Sequence, residues 1–255
     1  MRVFVMGDLH GASKALEQCL KRSDFDLKRD TLIQLGDIVD GYPDVYKCVE
    51  TLLKIPNLIP VKGNHEDWFL EFIRTGYHPA AWDAGGQATL ISYLELTGRN
   101  QSIRRAGDGF ESSLIPEDIP STHRRFFESQ KPFYVDKENN CFVHAGFNRF
   151  LSFDKQDIWN FYWDRGLWED ALTYQILNKN DPDSEPFYNL SKFHEIFIGH
   201  TPTLNWNTDK PMRALNIFNV DTGAGHGGKL TLLNIHSKEY FQSDPVAELY
   251  NWSAR

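Results

Sequence analysis

The chain has 255 residues and a formal net charge of −8 at pH 7, which argues against a broad basic surface for a nucleic-acid polymer. Its three cysteines are far apart and odd in number, so neither a disulfide framework nor a thiolate zinc site is expected. The apolar segment at residues 1–7 is too short for a signal peptide, and no apolar run approaches the ~20 residues that span a bilayer. We therefore expect a globular protein of the cytoplasm that does not insert into a membrane.

Short apolar runs with glycine-containing turns predict the strands of a β-sheet. They cover residues 2–8, 31–37, 57–64, 141–146, 195–201, 217–223 and 229–235. Each of the first three runs is followed by a helical pattern, in which apolar residues recur at three- and four-residue spacing. These helical patterns cover residues 13–22, 44–54 and 66–74. The alternation predicts an α/β fold with buried parallel strands, and the stretches 133–146 and 221–235 predict two hairpins.

Two stretches interrupt this regular pattern. Residues 76–131 contain helical sequences, and residues 147–193 are dense in aromatic side chains. Neither stretch has a set of predicted strands, so both are interpreted as insertions at the edge of the sheet within a single domain spanning 1–255. The aromatic side chains are expected to pack the second insertion. Stacking on a substrate base is the alternative interpretation.

Five predicted strand ends carry the same kind of chemistry. They read GDLHG, GDIVDG, GNHE, HAG and GHT. Taken alone, Asp8 is explained as a helix cap and His10 as a polar turn residue. Parallel strands, however, bring their carboxyl ends to one edge of a sheet, where ligands bind. Together the five ends therefore predict a metal site, and its candidate ligands are Asp8, His10, Asp37, Asn64, His144 and His200.

The ligand types indicate which ions this site would take. Carboxylate, amide and imidazole donors without a thiolate suit Mn²⁺, Fe or Zn²⁺ better than Ca²⁺ or copper, and Mn²⁺ is our first choice. Six ligands are too many for one ion that keeps an open position. They suit two divalent ions that share a carboxylate, and Asp37 is the natural bridge.

The order and spacing of these motifs, from GDLHG to DTGAGHGGKLT, resemble those of the calcineurin-like metallophosphoesterases. Within that family the sequence is similar to the phosphoprotein phosphatase branch. This branch includes bacterial and bacteriophage serine/threonine phosphatases and the symmetrical dinucleoside tetraphosphatases. The segment GGQATLISY also resembles one found in the bacterial members. The resemblance implies an α/β sandwich of two mixed sheets flanked by helices.

The resemblance also implies a role for each candidate residue. A first metal would be held by Asp8, His10 and Asp37. A second metal would be held by Asp37, Asn64, His144 and His200. His65 resembles the general acid of the family, and Asp40 resembles the carboxylate that orients it. Arg165, in YWDRG, resembles an arginine that contacts the phosphate.

One position departs from the family pattern. The family usually reads GD-x-VD-R-G, whereas this chain reads GDIVDGY, so Gly41 stands where a phosphate-binding arginine is expected. The departure leaves the metal ligands intact but leaves the class of substrate open. Arg104, Arg105 and Arg149 are candidate replacements for the missing guanidinium.

The functional hypothesis is a binuclear-metal-dependent phosphoesterase that hydrolyses phosphomonoesters by a metal-bridging hydroxide. Its substrate would be a phosphorylated protein or a small phosphoester, and a serine/threonine protein phosphatase is the first interpretation. A symmetrical dinucleoside polyphosphate hydrolase is the alternative enzyme. A catalytically inactive metal-binding regulatory protein is the alternative from a different class. The sequence does not indicate an oligomeric state.

Overall fold

The computed structural model describes residues 1–83, 85–100, 102–107, 109–178 and 185–250. Its strands are β1 (Val3–Met6), β2 (Thr31–Gln34), β3 (Leu58–Pro60), β4 (Ile103–Ala106), β5 (Gly109–Ser112), β6 (Phe133–Val135), β7 (Cys141–Val143), β8 (Ile196–Ile198), β9 (Met212–Ala214), β10 (Ile217–Asn219), β11 (Thr231–Asn234) and β12 (Tyr240–Gln242). Its α-helices are α1 (Ser13–Arg22), α2 (Val45–Leu52), α3 (Asn64–Thr75), α4 (Gly86–Thr97), α5 (Ser121–Ser129), α6 (Ile158–Trp163), α7 (Gly166–Leu177) and α8 (Val246–Tyr250).

Ten of these strands form two mixed sheets. Sheet I has the order β12-β11-β1-β2-β3, and sheet II has the order β6-β7-β8-β10-β9. In sheet I the strands β1, β2 and β3 are parallel, and β11 runs antiparallel to β1. In sheet II the strands β7, β8 and β10 are parallel, and β6 and β9 are antiparallel edges. The expected architecture of two mixed sheets is therefore confirmed.

Alternation along the strands fixes how the two sheets pack. Side chains two residues apart share a face of a strand, so Val5 of β1 points between the sheets while its neighbour Phe4 points to the helices. Phe142 and Phe197 of sheet II lie in the same layer as Val5, and their rings stack with centroids 4.9 Å apart. Full burial of a side chain of this size contributes roughly 1.5–3 kcal/mol. This apolar layer holds the sheets face to face.

The two predicted hairpins have different outcomes. The hairpin at 133–146 is confirmed, because β6 and β7 pair antiparallel with Val135 opposite Cys141. The hairpin at 221–235 is wrong. Strand β10 lies in sheet II between β8 and β9, whereas β11 lies in sheet I between β1 and β12. The glycine-rich segment therefore crosses from one sheet to the other, with Gly223 and Gly227 at positive φ.

The helices expected in the first third of the chain are present, but α3 begins earlier than the pattern predicts. Strand β3 ends at Pro60 and α3 begins at Asn64, so the predicted strand 57–64 was too long. The physical reason is a cap. The Glu66 carboxylate accepts a hydrogen bond from the backbone N–H of Gly63 at 2.9 Å, which satisfies a free donor at the helix start.

The stretch 76–131 differs from the sequence expectation, since it contains a pair of strands. Besides α4 and α5, it forms an antiparallel ribbon of β4 and β5. The stretch packs on α2 and α3, where Trp82, Tyr93 and Phe127 are fully buried in the same core as sheet I. It therefore extends the helical layer beside sheet I.

The described residues of the aromatic stretch, 147–178 and 185–193, pack mainly against sheet II. Phe147, Phe161 and Trp168 are buried in its core, as expected for packing. Trp159 and Trp163 stay exposed, at 53% and 38%, and Trp163 faces the cavity described below. Among the described residues, no helix combines the length and apolar character needed to cross a membrane.

Candidate active site

A cavity of about 350 Å³ opens where the carboxyl ends of the parallel strands of sheets I and II meet. Its lining residues are Asp8, His10, Asp37, Asn64, His65, Trp68, Trp163, Arg165, His200, Asp221, Gly225 and His226. Two further predicted residues are fully buried behind this lining. His144 contacts Asn64, and Asp40 contacts His65. The structure therefore brings all nine predicted site residues together.

The Asp37 carboxylate lies at the centre of the cluster. Its Oδ2 is 3.7 Å from His10 Nε2, 3.8 Å from His65 Nε2 and 3.4 Å from His144 Nε2. Two groups of potential donors, each with its atoms within 4.8 Å of one another, share this carboxylate. They are His10, Asp37 and His65, and Asp37, His144 and His200. This is the position that a bridging ligand between two ions requires.

Lone pairs converge beside Asp37. His144 Nδ1 donates to the carbonyl of Leu35 at 2.8 Å, so its Nε2 carries a lone pair in the neutral imidazole. That nitrogen lies 3.0 Å from Asn64 Oδ1 and 3.1 Å from His200 Nδ1. Ligands bonded to one ion at ~2.1 Å lie ~3.0–3.4 Å apart. The spacing and the donor types therefore fit a shared divalent cation.

His10 is oriented in the same manner on the other side of Asp37. Its Nδ1 donates to the carbonyl of Val39 at 3.2 Å, which leaves Nε2 free of a proton in the neutral ring. Gly225 approaches this ring so closely that a Cβ at that position would overlap it. The sequence folds in this way because glycine alone lets the crossing segment pass over His10.

Asp8 and Asp221 add two buried carboxylates at the same end of the cavity. Asp8 accepts hydrogen bonds from the backbone N–H of His200, at 3.1 Å to each oxygen. A Cβ on Gly199 would overlap Asp8 Oδ1, so the glycine of GHT makes room for this carboxylate. Asp221 follows β10 and accepts from the backbone N–H of Gly223 at 2.9 Å.

Burial sets the protonation of these groups. Desolvation raises the pKa of Asp37 to about 8 and that of Asp221 to about 6. Burial and the neighbouring carboxylates also raise the pKa of Asp8 well above its usual range. In contrast, burial lowers the pKa of His144 to about 3 and that of His200 further. The imidazoles thus stay neutral, as metal ligands must be, and a cation would relieve the repulsion among the carboxylates.

His65 and Asp40 form a hydrogen-bonded pair beside the metal-ligand candidates. His65 Nδ1 donates to Asp40 Oδ2 at 2.6 Å, so Nε2 faces the cavity. Burial opposes protonation of this ring, but the Asp37 and Asp40 carboxylates outweigh it and raise the pKa of His65 to about 9. The ring can therefore hold a proton at Nε2 in neutral solution.

A family model described as calcineurin-like phosphoesterase matches residues 1–221. The chain belongs to the calcineurin-like phosphoesterase family. The family depends on a binuclear metal centre, and the chain is accordingly a metal-dependent phosphoesterase. The resemblance expected from the motifs is confirmed over 221 residues, which include every candidate site residue.

Two curated relatives cover nearly the whole chain. One is serine/threonine-protein phosphatase 1 of Salmonella typhimurium, which is 26% identical over 240 residues, 91% of this chain and 91% of the relative. The other is the symmetrical bis(5'-nucleosyl)-tetraphosphatase of Buchnera aphidicola, which is 25% identical over 94% of this chain and 97% of the relative. These relatives carry the two enzyme names that the motif resemblance implied.

Solved structures of phosphoesterases share the fold. The metallophosphoesterase from Sphaerobacter thermophilus gives a TM-score of 0.51 at 18% identity, covering 95% of this chain and 87% of that chain. The cold-active protein-tyrosine phosphatase of Shewanella gives a TM-score of 0.53 at 15% identity, covering 95% and 80%. At such identities the likeness concerns the fold alone.

Two buried acids of this phosphoesterase were missed by the sequence reasoning. Asp221 lies two residues after β10, the third parallel strand of sheet II, so the rule for strand ends applies to it. The wrong hairpin at 221–235 concealed that signal. Glu66 stands in the quoted motif GNHE, yet its role is visible only in the structure. Its carboxylate accepts hydrogen bonds from the backbone N–H groups of Asp37, Ile38, Val39 and Gly63 at 2.6–3.1 Å.

Four site residues have a left-handed backbone. The φ angles are 48° at His10, 51° at Asp37, 69° at Asp40 and 63° at His200. Such angles are uncommon for residues other than glycine, and they concentrate where function requires an unusual side-chain direction. At each of these four positions the chain turns sharply and still directs a side chain into the cavity or behind it.

Among the described lining residues, Arg165 is the single arginine. It donates to Thr201 Oγ1 at 3.1 Å. None of the three candidate replacements, Arg104, Arg105 and Arg149, belongs to the lining. Arg104 pairs with Glu111 on the β4–β5 ribbon, and Arg149 pairs with Asp170. Gly41 is buried and has a φ of 84°, a conformation that an arginine adopts only with strain.

Proposed function

We propose that this phosphoesterase hydrolyses phosphomonoesters, with phosphoserine and phosphothreonine in proteins as the first substrate class. The candidate ligands are divided between two metal ions as the family resemblance implies. Asp8, His10 and Asp37 hold one divalent ion. Asp37, Asn64, His144 and His200 hold the other. Mn²⁺ is the first choice of ion, with Fe or Zn²⁺ as alternatives, because oxygen and imidazole donors suit all three. When bound, two such ions activate water and neutralise phosphate oxygens.

The observation that carries this proposal is the hydrogen bond between His65 and Asp40. A serine or threonine alkoxide leaves only if it gains a proton, and a positioned histidine supplies it. The bond from Nδ1 to Asp40, at 2.6 Å, directs Nε2 into the cavity within 3.8 Å of Asp37 Oδ2. His65 therefore acts as the general acid, and Asp40 orients its ring.

Arg165 is assigned to the phosphate. It lines the cavity beside His200, and its guanidinium is anchored on Thr201. A guanidinium presents parallel N–H donors that match two oxygens of a phosphate. Because Gly41 offers no second guanidinium, Arg165 carries this contact without help from that position.

A second candidate function is hydrolysis of dinucleoside polyphosphates. The observation that favours it is a pair of indoles in the cavity, since Trp68 and Trp163 both belong to its lining, with ring centroids 5.6 Å apart. Trp68 also lies edge-on to His65, the ring assigned as general acid, with centroids 4.9 Å apart. An indole face can stack on a base with a contribution of ~1–3 kcal/mol.

The buried thiols support a location for this proposal. Cys19, Cys48 and Cys141 are all free and buried, which fits a reducing compartment. We therefore place the protein in the cytoplasm.

A turnover screen tests both functions. The metal-free protein is reconstituted with Mn²⁺, Fe²⁺ or Zn²⁺ and given a phosphoserine peptide, 4-nitrophenyl phosphate or diadenosine tetraphosphate. The proposal expects the highest kcat/KM on the peptide. A clear preference for the dinucleotide would favour the second function. Stoichiometric metal binding without turnover of any substrate would establish the inactive regulatory protein instead.

A matched pair of variants then tests the indoles. Trp163→Leu removes an indole from the cavity, whereas Trp159→Leu removes an exposed indole from the same helix outside the lining. If the cavity takes a base, Trp163→Leu should raise the KM for diadenosine tetraphosphate roughly 5–150-fold, from the stacking energy of ~1–3 kcal/mol. The Trp159→Leu variant should behave as the wild type.

A further inference from the structure

We propose that Trp82 and Thr89, both from the stretch 76–131, are positioning residues for the general acid. They hold the Asp40 carboxylate in the one orientation that directs the His65 ring into the cavity. Neither residue lines the cavity, so each would act through Asp40. The inference rests on the proposed function, because it assigns a purpose to groups behind the catalytic pair.

The geometry around Asp40 distributes three donors over two oxygens. Thr89 Oγ1 donates to Oδ1 at 2.6 Å. Trp82 Nε1–H lies between both oxygens, at 2.9 Å from Oδ1 and 3.0 Å from Oδ2. His65 Nδ1 donates to Oδ2 at 2.6 Å. The indole thus fixes the plane of the carboxylate, and the hydroxyl occupies Oδ1, which leaves Oδ2 directed at the histidine.

The Thr89 hydroxyl both accepts a hydrogen bond from Asp40 and donates one to it. Its hydroxyl oxygen accepts the backbone N–H of Asp40 at 2.8 Å while its proton goes to the carboxylate. Asp40 has a φ of 69°, in the left-handed region that few residues other than glycine adopt. The reciprocal pair therefore secures both the backbone and the side chain of Asp40.

Burial makes these donors hard to replace. Asp40, Trp82 and Thr89 are each 0% exposed. A buried carboxylate that loses a donor would keep an unsatisfied oxygen, since water does not reach it, and it would turn toward the remaining donors. A rotated carboxylate would no longer match Nδ1 of His65, and the ring would be free to tilt.

Residues of the stretch 76–131 other than Trp82 and Thr89 also support the contact with Asp40. The indole of Trp82 lies under the start of α4, where a Cβ on Gly86 would come within 2.6 Å of the ring. Thr89 follows Gly86 by three residues, so it lies on the same face of α4. The backbone N–H of Gly41, next to Asp40, donates to the carbonyl of Gly85 at 3.4 Å. The start of α4 therefore packs directly on the residues behind His65.

The expected effect depends on the leaving group. A general acid accelerates loss of a poor leaving group by ~10²–10⁴-fold, and a tilted ring would forfeit part of that factor. We expect Thr89→Val to lower kcat on a phosphoserine peptide about 10–100-fold, comparable to the loss seen when the hydrogen-bond partner that orients a metal ligand is removed. On 4-nitrophenyl phosphate, whose leaving group needs little protonation, the loss should be below about threefold, and KM should change little on either substrate.

Three variants separate positioning from general damage. Thr89→Ser keeps the hydroxyl and should restore the peptide activity. Trp82→Phe removes the N–H and should repeat the leaving-group dependence. Ser92→Ala is the matched control, since Ser92 is a buried hydroxyl on the same helix that accepts the backbone N–H of Tyr46 at 2.9 Å and does not bond Asp40. It should leave the ratio of the two activities unchanged.

A double-mutant cycle with His65→Asn gives the decisive result. If Thr89 acts through the acid, Thr89→Val should have no further effect once His65 is replaced. The metal content of each variant is measured in parallel. Equal losses on both substrates, or a full loss that persists in the His65→Asn background, would overturn the positioning role and leave the proposed function standing. A wild-type protein without turnover on either phosphomonoester would overturn both.

Discussion

Glu66 offers a direct test of how the loops of the site are held. One carboxylate joins the loop that presents Asp37 to the start of α3, where Asn64 and His65 lie. Its Oε1 accepts from the backbone N–H groups of Ile38 and Val39, and its Oε2 accepts from those of Asp37 and Gly63. Glu66→Gln preserves the shape but turns one acceptor atom into an NH₂ group.

The size of the loss follows from this geometry. Whichever way the amide is placed, two buried N–H groups face a donor and lose their partner. Each unsatisfied buried group costs ~1–3 kcal/mol, so Glu66→Gln should destabilise the fold by about 2–6 kcal/mol. Domains of this size are stable by ~5–15 kcal/mol, so the change removes a large share of the total. We expect metal affinity to fall as well, because Asp37 and Asn64 lose their common anchor.

Urea unfolding measures the effect. Wild-type and variant proteins are unfolded in chelator, so that bound metal does not contribute, and metal binding is measured separately by calorimetry. Glu71→Gln is the control, since Glu71 is an exposed residue of the same helix and the substitution changes the charge equally. A Glu66→Gln protein within 0.5 kcal/mol of the Glu71→Gln protein would refute the reasoning.

Three further predictions concern the bridge, the missing arginine and a distant ion pair. Asp37→Asn should weaken the binding of both ions and abolish turnover, whereas Asp8→Asn should mainly weaken the binding of one ion. Elemental analysis at limiting metal measures how many ions each variant retains, and full turnover of Asp37→Asn would contradict the assignment of Asp37 as a shared ligand. Gly41→Arg should lower the free energy of unfolding by ~1–2 kcal/mol, because φ at this position is 84°; unchanged stability with a lower KM would instead show that only a guanidinium was missing. Asp30 is buried, which opposes its ionisation, but hydrogen bonds from Arg2 outweigh burial and lower the pKa of Asp30. The pKa of Asp30 in the folded protein lies below the unfolded value of ~3.9. The stability that ionised Asp30 contributes is therefore fully present above pH ~3.9 and is lost as the pH falls through the folded pKa. Asp30→Asn should therefore cost ~1.5–3 kcal/mol at pH 7, and the difference from wild type, measured by urea unfolding in chelator, should shrink below pH 4; a difference that grows there would contradict the sign.

The candidate ligands could be predicted because their rule needs no knowledge of distant contacts. A polar side chain directly after an apolar strand reaches the carboxyl edge of a parallel sheet whichever strands are its neighbours. Asp8, Asp37 and His200 were found in this way. The same reasoning would have found Asp221, had β10 been assigned to the parallel part of sheet II.

The rest depended on contacts between segments far apart in the chain. Periodicity shows which face of a strand is apolar, but not which sheet the strand joins. For this reason the sequence predicts a hairpin at 221–235, where the chain in fact crosses from sheet II to sheet I. Likewise the bonds from Trp82 and Thr89 to Asp40 join residues 42 and 49 positions apart. Hydrogen bonds between residues so far apart leave no periodic pattern in the sequence. The segment GGQATLISY resembles one in the bacterial members of the family, but that resemblance does not indicate its contact with Asp40.

The left-handed backbone at His10, Asp37, Asp40 and His200 has a consequence for engineering. Replacing any of these residues by glycine or asparagine, which tolerate positive φ more readily, would relieve backbone strain. At Asp37 the replacement would also remove a buried carboxylate that neighbouring carboxylates repel. A library selected for heat resistance in the presence of chelator would therefore be drawn to these four positions first. At these four positions a substitution that relieves backbone strain would raise thermostability and abolish turnover. A screen for stable variants therefore needs metal in the medium if it is to retain an active enzyme.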